Sequence, residues 1–106
     1  MKLSVLWCGY IIGELSFNNI EYTFQYVNKE TFKSINFKGI GEFKDLNKIY
    51  KDKNLFITFS TRLPNKNRKD IKKYLLDNGF KDTISDLQLL RLTKGILATD
   101  YIEICG

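Results

Sequence analysis

The chain has 106 residues, with 17 lysines and arginines against 12 aspartates and glutamates, a formal net charge of +5 and no histidine. Its hydrophobic residues make up 43% of the sequence, which predicts a single folded domain over residues 1–106 with a modest core. No apolar run approaches the roughly 20 residues that a membrane-spanning helix needs, and the start of the chain lacks the apolar segment of a signal peptide. We therefore expect a cytoplasmic protein.

The composition offers little for catalysis or metal binding. Without histidine, the usual mixed zinc sites cannot be built, and the side chain best suited to acid–base chemistry near neutral pH is absent. A disulfide between Cys8 and Cys105 would need adjacent strands and an oxidising compartment, so we expect two reduced thiols. The sequence predicts no metal, no cofactor and no enzymatic activity.

The first third of the sequence predicts three antiparallel strands. The stretch from Lys2 to Trp7 alternates between two faces, and Cys8-Gly9 then supplies a residue that tolerates positive φ in a two-residue hairpin turn. A second strand covers Tyr10 to Phe17. Beyond the turn signal Asn18-Asn19, the stretch from Glu21 to Tyr26 alternates strictly and places its aromatic residues on one face.

The middle of the chain, residues 28–54, has a weaker signal. Gly39 and Gly41 would break a helix, and residues 43–50 could form a single helical turn. The apolar run from Leu55 to Ser60 predicts a buried strand, because Leu55, Ile57 and Phe59 would share one side of it.

Two short helices are expected after Pro64, the only proline. Asn67 is the predicted N-cap of the first, Gly79 its end, and its inner face would carry Ile71, Tyr74 and Leu75.

The second helix would begin at Thr83 and end at Gly95, with Leu87, Leu89 and Leu90 inward. A closing strand would run from Tyr101 to Cys105. These elements predict an α+β fold, with a five-stranded, mainly antiparallel sheet or partly closed barrel and two short helices.

Positive charge is concentrated between Arg62 and Lys73, where Asp70 is the only acidic residue. Such a stretch could be a solvated helix face, a contact for an acidic or phosphate-bearing protein, or a nucleic-acid site. Aromatic side chains that would stack on bases do not alternate with these lysines, which argues against direct nucleic-acid binding.

Three separated patches resemble the N-terminal subdomain of HipA-type serine/threonine kinase toxins. Trp7 to Leu15 is similar to the opening hairpin of that subdomain, with its Gly-Glu-Leu return strand, and Tyr22 to Tyr26 is similar to the strand after it. The later signature is matched by Arg62-Leu63-Pro64, Arg68, Asp70, Thr93, Gly95, Thr99 and Asp100. Because the chain stops at Gly106, before any kinase core, it looks most like the stand-alone HipS-like antitoxins of three-component HipB-HipS-HipT systems.

The resemblance implies a function in binding. A HipS-like protein binds a HipT-type kinase and restrains it, while the kinase phosphorylates an aminoacyl-tRNA synthetase and halts growth. A HipB-like helix-turn-helix protein supplies operator binding, so contact with DNA would come through the complex. The alternative is a small basic nucleic-acid-binding protein or an accessory protein of a transcription complex.

We expect the kinase contact at the corner from Thr61 to Lys69, where the predicted strand ends, Pro64 follows and a helix starts. Binding residues often lie in loops that a rigid scaffold positions. Arg62 and Arg68 could each bind a carboxylate or phosphate through two hydrogen bonds, and the exposed Leu63 and Pro64 would offer a small apolar contact between them. A second possible contact is the opening hairpin around Trp7 and Tyr10, although alternation favours an inward Trp7. The predicted partner-binding residues are Arg62, Leu63, Pro64, Asn65, Lys66 and Arg68.

Overall fold

A computed structural model describes residues 1–65, 67–80, 84–97 and 100–106. In chain order its elements are β1 (Lys2–Trp7), β2 (Tyr10–Phe17), β3 (Tyr22–Tyr26), a 3-10 turn (Lys29–Thr31), β4 (Tyr50–Asp52), α1 (Ile57–Ser60), α2 (Lys69–Asp77), α3 (Asp86–Thr93) and β5 (Ile102–Cys105).

The strands form one antiparallel sheet in the order β4-β3-β2-β1-β5. The predicted α+β class is confirmed, and the sheet is open and does not close into a barrel. None of the helices in the described residues is long and apolar enough to cross a membrane.

Turn chemistry sets the register of the first three strands, as predicted. Cys8 and Gly9 both have positive φ, 50° and 83°, which is the conformation of a two-residue turn that matches the twist of the strands. In the next turn the Asn18 side chain accepts hydrogen bonds from the amides of Ile20 and Glu21 at 2.9 and 2.8 Å. Backbone conformation therefore sets the first reversal of the chain, and local hydrogen bonds fix the second.

A β-bulge in β2 puts two consecutive residues into the core. Val5 lies opposite Gly13 and Leu6 lies opposite Ile11, so Ile12 is the extra residue. Both Ile12 and Gly13 are buried. A Cβ atom on Gly13 would lie 2.6 Å from the Phe24 ring, which shows that this ring occupies the space left by the missing side chain.

The predicted strand from Leu55 to Ser60 is wrong, because residues 57–60 form α1. The sheet has five strands because the segment Tyr50–Asp52 supplies β4 in place of the predicted strand. Phe56 and Phe59 both pack on Phe43, and their ring centroids lie 5.1 and 5.7 Å, respectively, from the centroid of the Phe43 ring. Their spacing of three residues suits one turn of helix, which leaves Ile57 72% exposed. The possible helical turn in residues 43–50 is also absent, because this segment has only a bridge residue and turns before β4 begins at Tyr50.

Helix α3 lies between the sheet and α2. Leu87 and Leu90 belong to the main core, which centres on Phe24 and also includes the buried residues of β1, β2 and β5. Leu89, on another side of α3, packs with Leu75 of α2 in a smaller apolar cluster.

The predicted inward position of Tyr74 is wrong, because its side chain is 45% exposed, whereas Leu75 is buried and Ile71 half-buried as expected.

The ends of the helices test the predicted caps. Gly79 has φ of 79°, and the amide of Phe80 donates to the carbonyl of Leu75 at 2.7 Å, so α2 ends at a glycine as predicted. At its start the N-cap is Arg68 and not Asn67, and no side chain caps the helix. Asn67 belongs instead to the turn before the helix, where its amide donates to the side chain of Asn65 at 2.9 Å.

Helix α3 begins with a capping box in which Ser85 and Gln88 satisfy each other's backbone amides. The predicted start at Thr83 lies outside the described residues.

Both cysteines are free, as expected. Cys105 lies opposite Ser4, and the Cys8 amide donates to Tyr101, four residues before Cys105. Four residues of strand span about 13 Å, which is too far for a disulfide between Cys8 and Cys105.

Trp7 faces inward and packs on Phe37, with the two ring centroids 5.2 Å apart.

The outward edge of β5 is already hydrogen-bonded. The amide of Ile102 donates to Asp100 Oδ1 at 3.2 Å, and the amide of Ile104 donates to the carbonyl of Lys94 at 2.8 Å. The closing strand therefore starts at Ile102, one residue later than predicted, because Asp100 turns the chain into it.

Candidate partner-binding corner

The corner between α1 and α2, residues 61–68, contains the residues predicted to bind a partner. Its central residue is Arg62, which is only 8% exposed. The guanidinium donates from Nε to the carbonyl of Thr58 at 2.8 Å and from Nη1 to the carbonyl of Gly95 at 3.1 Å. It also forms a two-pronged ion pair with Asp100, with distances of 3.1 and 2.6 Å. Arg62 therefore joins α1 to Gly95, which follows α3, and to Asp100, which precedes β5.

The expectation that the Arg62 side chain is exposed at the corner is wrong, because the side chain is buried. Because α1 is a helical turn and not a strand, the Arg62 side chain points to Gly95 and Asp100. A buried guanidinium is costly unless its charge and its N–H groups are satisfied, and here the chain itself satisfies them. The hydrogen bond and charge of Arg62 hold the pKa of Asp100 below its ordinary value, although that carboxylate is one-third exposed.

Leu63 also faces inward. It packs against both the main core and the smaller cluster, and so links the two apolar groups. The expectation that Leu63 and Pro64 offer an exposed apolar contact is therefore incorrect for Leu63, which serves packing within the chain. Pro64 is half-buried.

The outer part of the corner carries Asn65 and Arg68, both exposed. The side chain of Asn65 accepts a hydrogen bond from the amide of Asn67 at 2.9 Å, and its carbonyl accepts one from the amide of Arg68 at 3.1 Å. Arg68 pairs with Asp70 through two hydrogen bonds of 3.2 and 2.7 Å, which lower the pKa of that carboxyl group. Lys66 lies outside the described residues.

The five predicted residues that the structure describes thus divide into two layers. Arg62 and Leu63 anchor the corner from inside, whereas Asn65 and Arg68 face the solvent with Pro64 between the layers. Sequence reasoning missed Asp100 as the partner of Arg62, because the two residues are separated by 38 positions and periodicity says nothing about such a pair. The signal that could have found it was the presence of both residues in the same family signature.

Among the described residues, no group of three or more cysteines, aspartates and glutamates is placed to hold a metal ion. Together, the fold and the corner define a small α+β domain with an internally braced, polar surface corner. Comparison of the sequence with models of known families and with curated proteins finds no match.

Proposed function

We propose that this chain is a HipS-like antitoxin, a cytoplasmic protein that binds a HipT-type serine/threonine kinase and inhibits it. The proposal rests on the order of the three patches that resemble the HipA N-terminal subdomain. A HipB-like DNA-binding protein would join through the same complex.

One structural observation supports the resemblance more than any other. Arg62, Gly95 and Asp100 all belong to the later signature but stand far apart in the sequence, and they meet in one hydrogen-bonded network. The ion pair gives Arg62 and Asp100 a physical reason to occur together, since each neutralises the charge of the other, whereas Gly95 contributes its backbone carbonyl. A chance similarity of short motifs would not require such contacts.

The same network suits the corner to binding. Because Arg62 ties the corner to the segment before β5, Asn65 and Arg68 are presented on a support that is already ordered. A preordered loop loses less conformational entropy when it binds a partner. We therefore place the kinase contact on the outer layer of the corner, at Pro64, Asn65 and Arg68.

Co-expression of the chain with a HipT-type kinase tests the proposal. We expect one stoichiometric complex in size-exclusion chromatography at micromolar concentration, and growth arrest by the kinase only when the chain is absent. Separate elution of the two proteins would contradict the proposed binding. A complex with undiminished kinase toxicity would reduce the role of the chain to assembly.

A further inference from the structure

The solvent-facing side of α2 combines a leucine with three lysines. Leu76 is 68% exposed. Lys72 and Lys73 lie one helical turn before it and Lys69 two turns before it, so all four side chains share one side of the helix. We refer to Lys69, Lys72, Lys73 and Leu76 as the lysine–leucine face.

The positive charge of this face is not neutralised within the described part of the chain. None of the three lysines forms an ion pair there, and the nearby Asp70 is already engaged by Arg68. Asp70 and Asp77 are helical neighbours of Lys73, three positions before it and four after it, but neither forms an ion pair with it.

Part of the charge pattern opposes the stability of α2, although Asp70 in its first turn is favoured by the helix dipole. Lys69 stands at the first helical position, where the helix dipole disfavours a cation, and Asp77 stands at the last, where it disfavours an anion. Lys69 also repels Lys72 and Lys73, because side chains three and four positions apart are neighbours. Local arrangements that oppose folding are expected mainly where a surface serves binding.

The helix is nevertheless held firmly in place. On its inner side Leu75 is buried in the smaller apolar cluster, and its end is fixed by the bond between the Phe80 amide and the Leu75 carbonyl. The lysine–leucine face therefore sits on a rigid element, adjacent to Arg68 of the corner.

We propose that the lysine–leucine face binds an acidic protein surface with an apolar recess that accepts Leu76. Carboxylates of the partner would relieve the repulsion among Lys69, Lys72 and Lys73, while burial of Leu76 would supply an apolar contact at the centre. This inference rests on the proposed function, since the acidic surface is assigned to the kinase.

A protein surface fits this face better than nucleic acid does. Phosphate groups would satisfy the lysines, but they offer nothing to a leucine exposed in the middle of them. The aromatic side chain of α2, Tyr74, lies toward the opposite flank and is not placed to stack on bases beside these lysines.

The experiment measures the affinity of the purified kinase for variants of the full chain by titration calorimetry. The first variant is Lys69→Glu with Lys72→Glu and Lys73→Glu. Its control reverses the same amount of charge elsewhere, at the exposed residues Lys33, Lys38 and Lys53. The second variant is Leu76→Ala, with Ile20→Ala as its control because that side chain is also exposed, at 73%.

We expect each α2 variant to raise the Kd at least roughly tenfold, and each control to leave it within about twofold. Circular dichroism verifies that the variants fold. If the triple variant does not fold, Leu76→Ala still tests the face, because it leaves the charges of the helix unchanged. Unchanged affinity in both α2 variants would overturn the inference and leave the proposed function standing. Failure of the unaltered chain to bind the kinase would overturn both.

A 20-base-pair DNA duplex is the comparison probe. We expect no binding to it at physiological salt. Tight binding that the triple α2 variant abolishes and salt weakens steeply would overturn the inference in favour of a nucleic-acid surface.

Discussion

The hydroxyl group of Tyr26 donates a hydrogen bond of 2.6 Å to the carbonyl oxygen of Phe43 and accepts one of 3.0 Å from the amide of Ile40. Tyr26 is buried on β3, and these bonds fasten the irregular segment before β4 to the sheet. Burial is the main cause of the raised pKa of this tyrosine. A segment with little regular structure is thus held by one side chain that bonds to two of its backbone groups.

We predict that Tyr26→Phe destabilises the fold by about 1–3 kcal/mol, because it leaves a buried amide and a buried carbonyl without their partner. Urea denaturation measures the change. Tyr74→Phe is the control, since that side chain is exposed, and its effect should stay within about 0.5 kcal/mol. Equal effects of the two substitutions would contradict the role assigned to the Tyr26 hydroxyl.

Replacement of Arg62 by alanine should cost about 3 kcal/mol of unfolding free energy. This loss lies at the lower end of the range for a broken buried ion pair, because Asp100 is partly exposed and water can solvate its carboxylate once the arginine is gone. Arg68→Ala, which breaks the exposed pair with Asp70, should cost less than about 1 kcal/mol. Thermal and urea unfolding of both variants would show the difference, and a small effect at Arg62 would refute the bracing role.

Arg62 also determines which variants can test the kinase contact. The loss of binding in an Arg62→Ala variant would report a damaged fold as readily as a lost contact. We therefore predict that Asn65→Ala with Arg68→Ala weakens the kinase complex while the unfolding midpoint of the free chain stays nearly constant. Calorimetric titration and urea denaturation on the same samples separate the two effects, and an unchanged Kd would move the contact away from the outer corner.

Acid should remove the contribution of Asp100 to stability. The folded-state pKa of this group is lowered, first by the hydrogen bond from Arg62, relative to its ordinary value of 3.8. A group with a lowered pKa stabilises the fold above its unfolded pKa and loses that contribution as the pH falls through its folded pKa. The stability gap between the unaltered chain and Asp100→Asn should therefore be full at pH 7 and shrink below about pH 4.

Asp70→Asn is the control for this pH series. Asp70 also pairs with an arginine, but the pair is exposed, so its removal should change stability at pH 7 far less. A gap for Asp100→Asn that stays constant from pH 7 to pH 2 would contradict an ionised partner for Arg62.

Gly13→Ala tests the contact between the bulge in β2 and the Phe24 ring. Where the backbone accepts alanine, such a substitution usually stabilises a protein by about 0.4–1 kcal/mol. Here the new methyl group would overlap Phe24, which is fully buried and packed between Phe43 and Tyr26. We expect a loss of about 1–3 kcal/mol. Ser16→Ala on the opposite face of β2 is the control, and a stabilised Gly13→Ala variant would refute the overlap.

The elements that sequence reasoning predicted correctly depend on local chemistry. The turns at Cys8-Gly9 and Asn18-Asn19, the alternation of β1 to β3 and the glycine after α2 all need information from neighbouring residues only. Their positions could therefore be read without knowledge of the rest of the chain.

The errors arise where distant residues decide. The run from Leu55 to Ser60 is short and apolar, and its periodicity alone does not separate a strand from a helical turn. The presence of Phe43 beneath it makes the helical turn the better packing. In the same way, Arg62 resembles a surface cation until Asp100 and Gly95 are placed beside it.

The pairing of β1 with β5 has a consequence for synthesis of the protein on the ribosome. β2 leaves the ribosome soon after β1 and can pair with β1 at once. The other neighbour of β1 is β5, which is translated about a hundred residues later, since Ser4 lies opposite Cys105. Until then β1 presents an unpaired edge to other nascent chains. Arrival of β5 closes this edge, and the bonds from its own amides to Asp100 and Lys94 leave little for a further strand to join. β5 thus protects the edge of β1 from pairing with other chains.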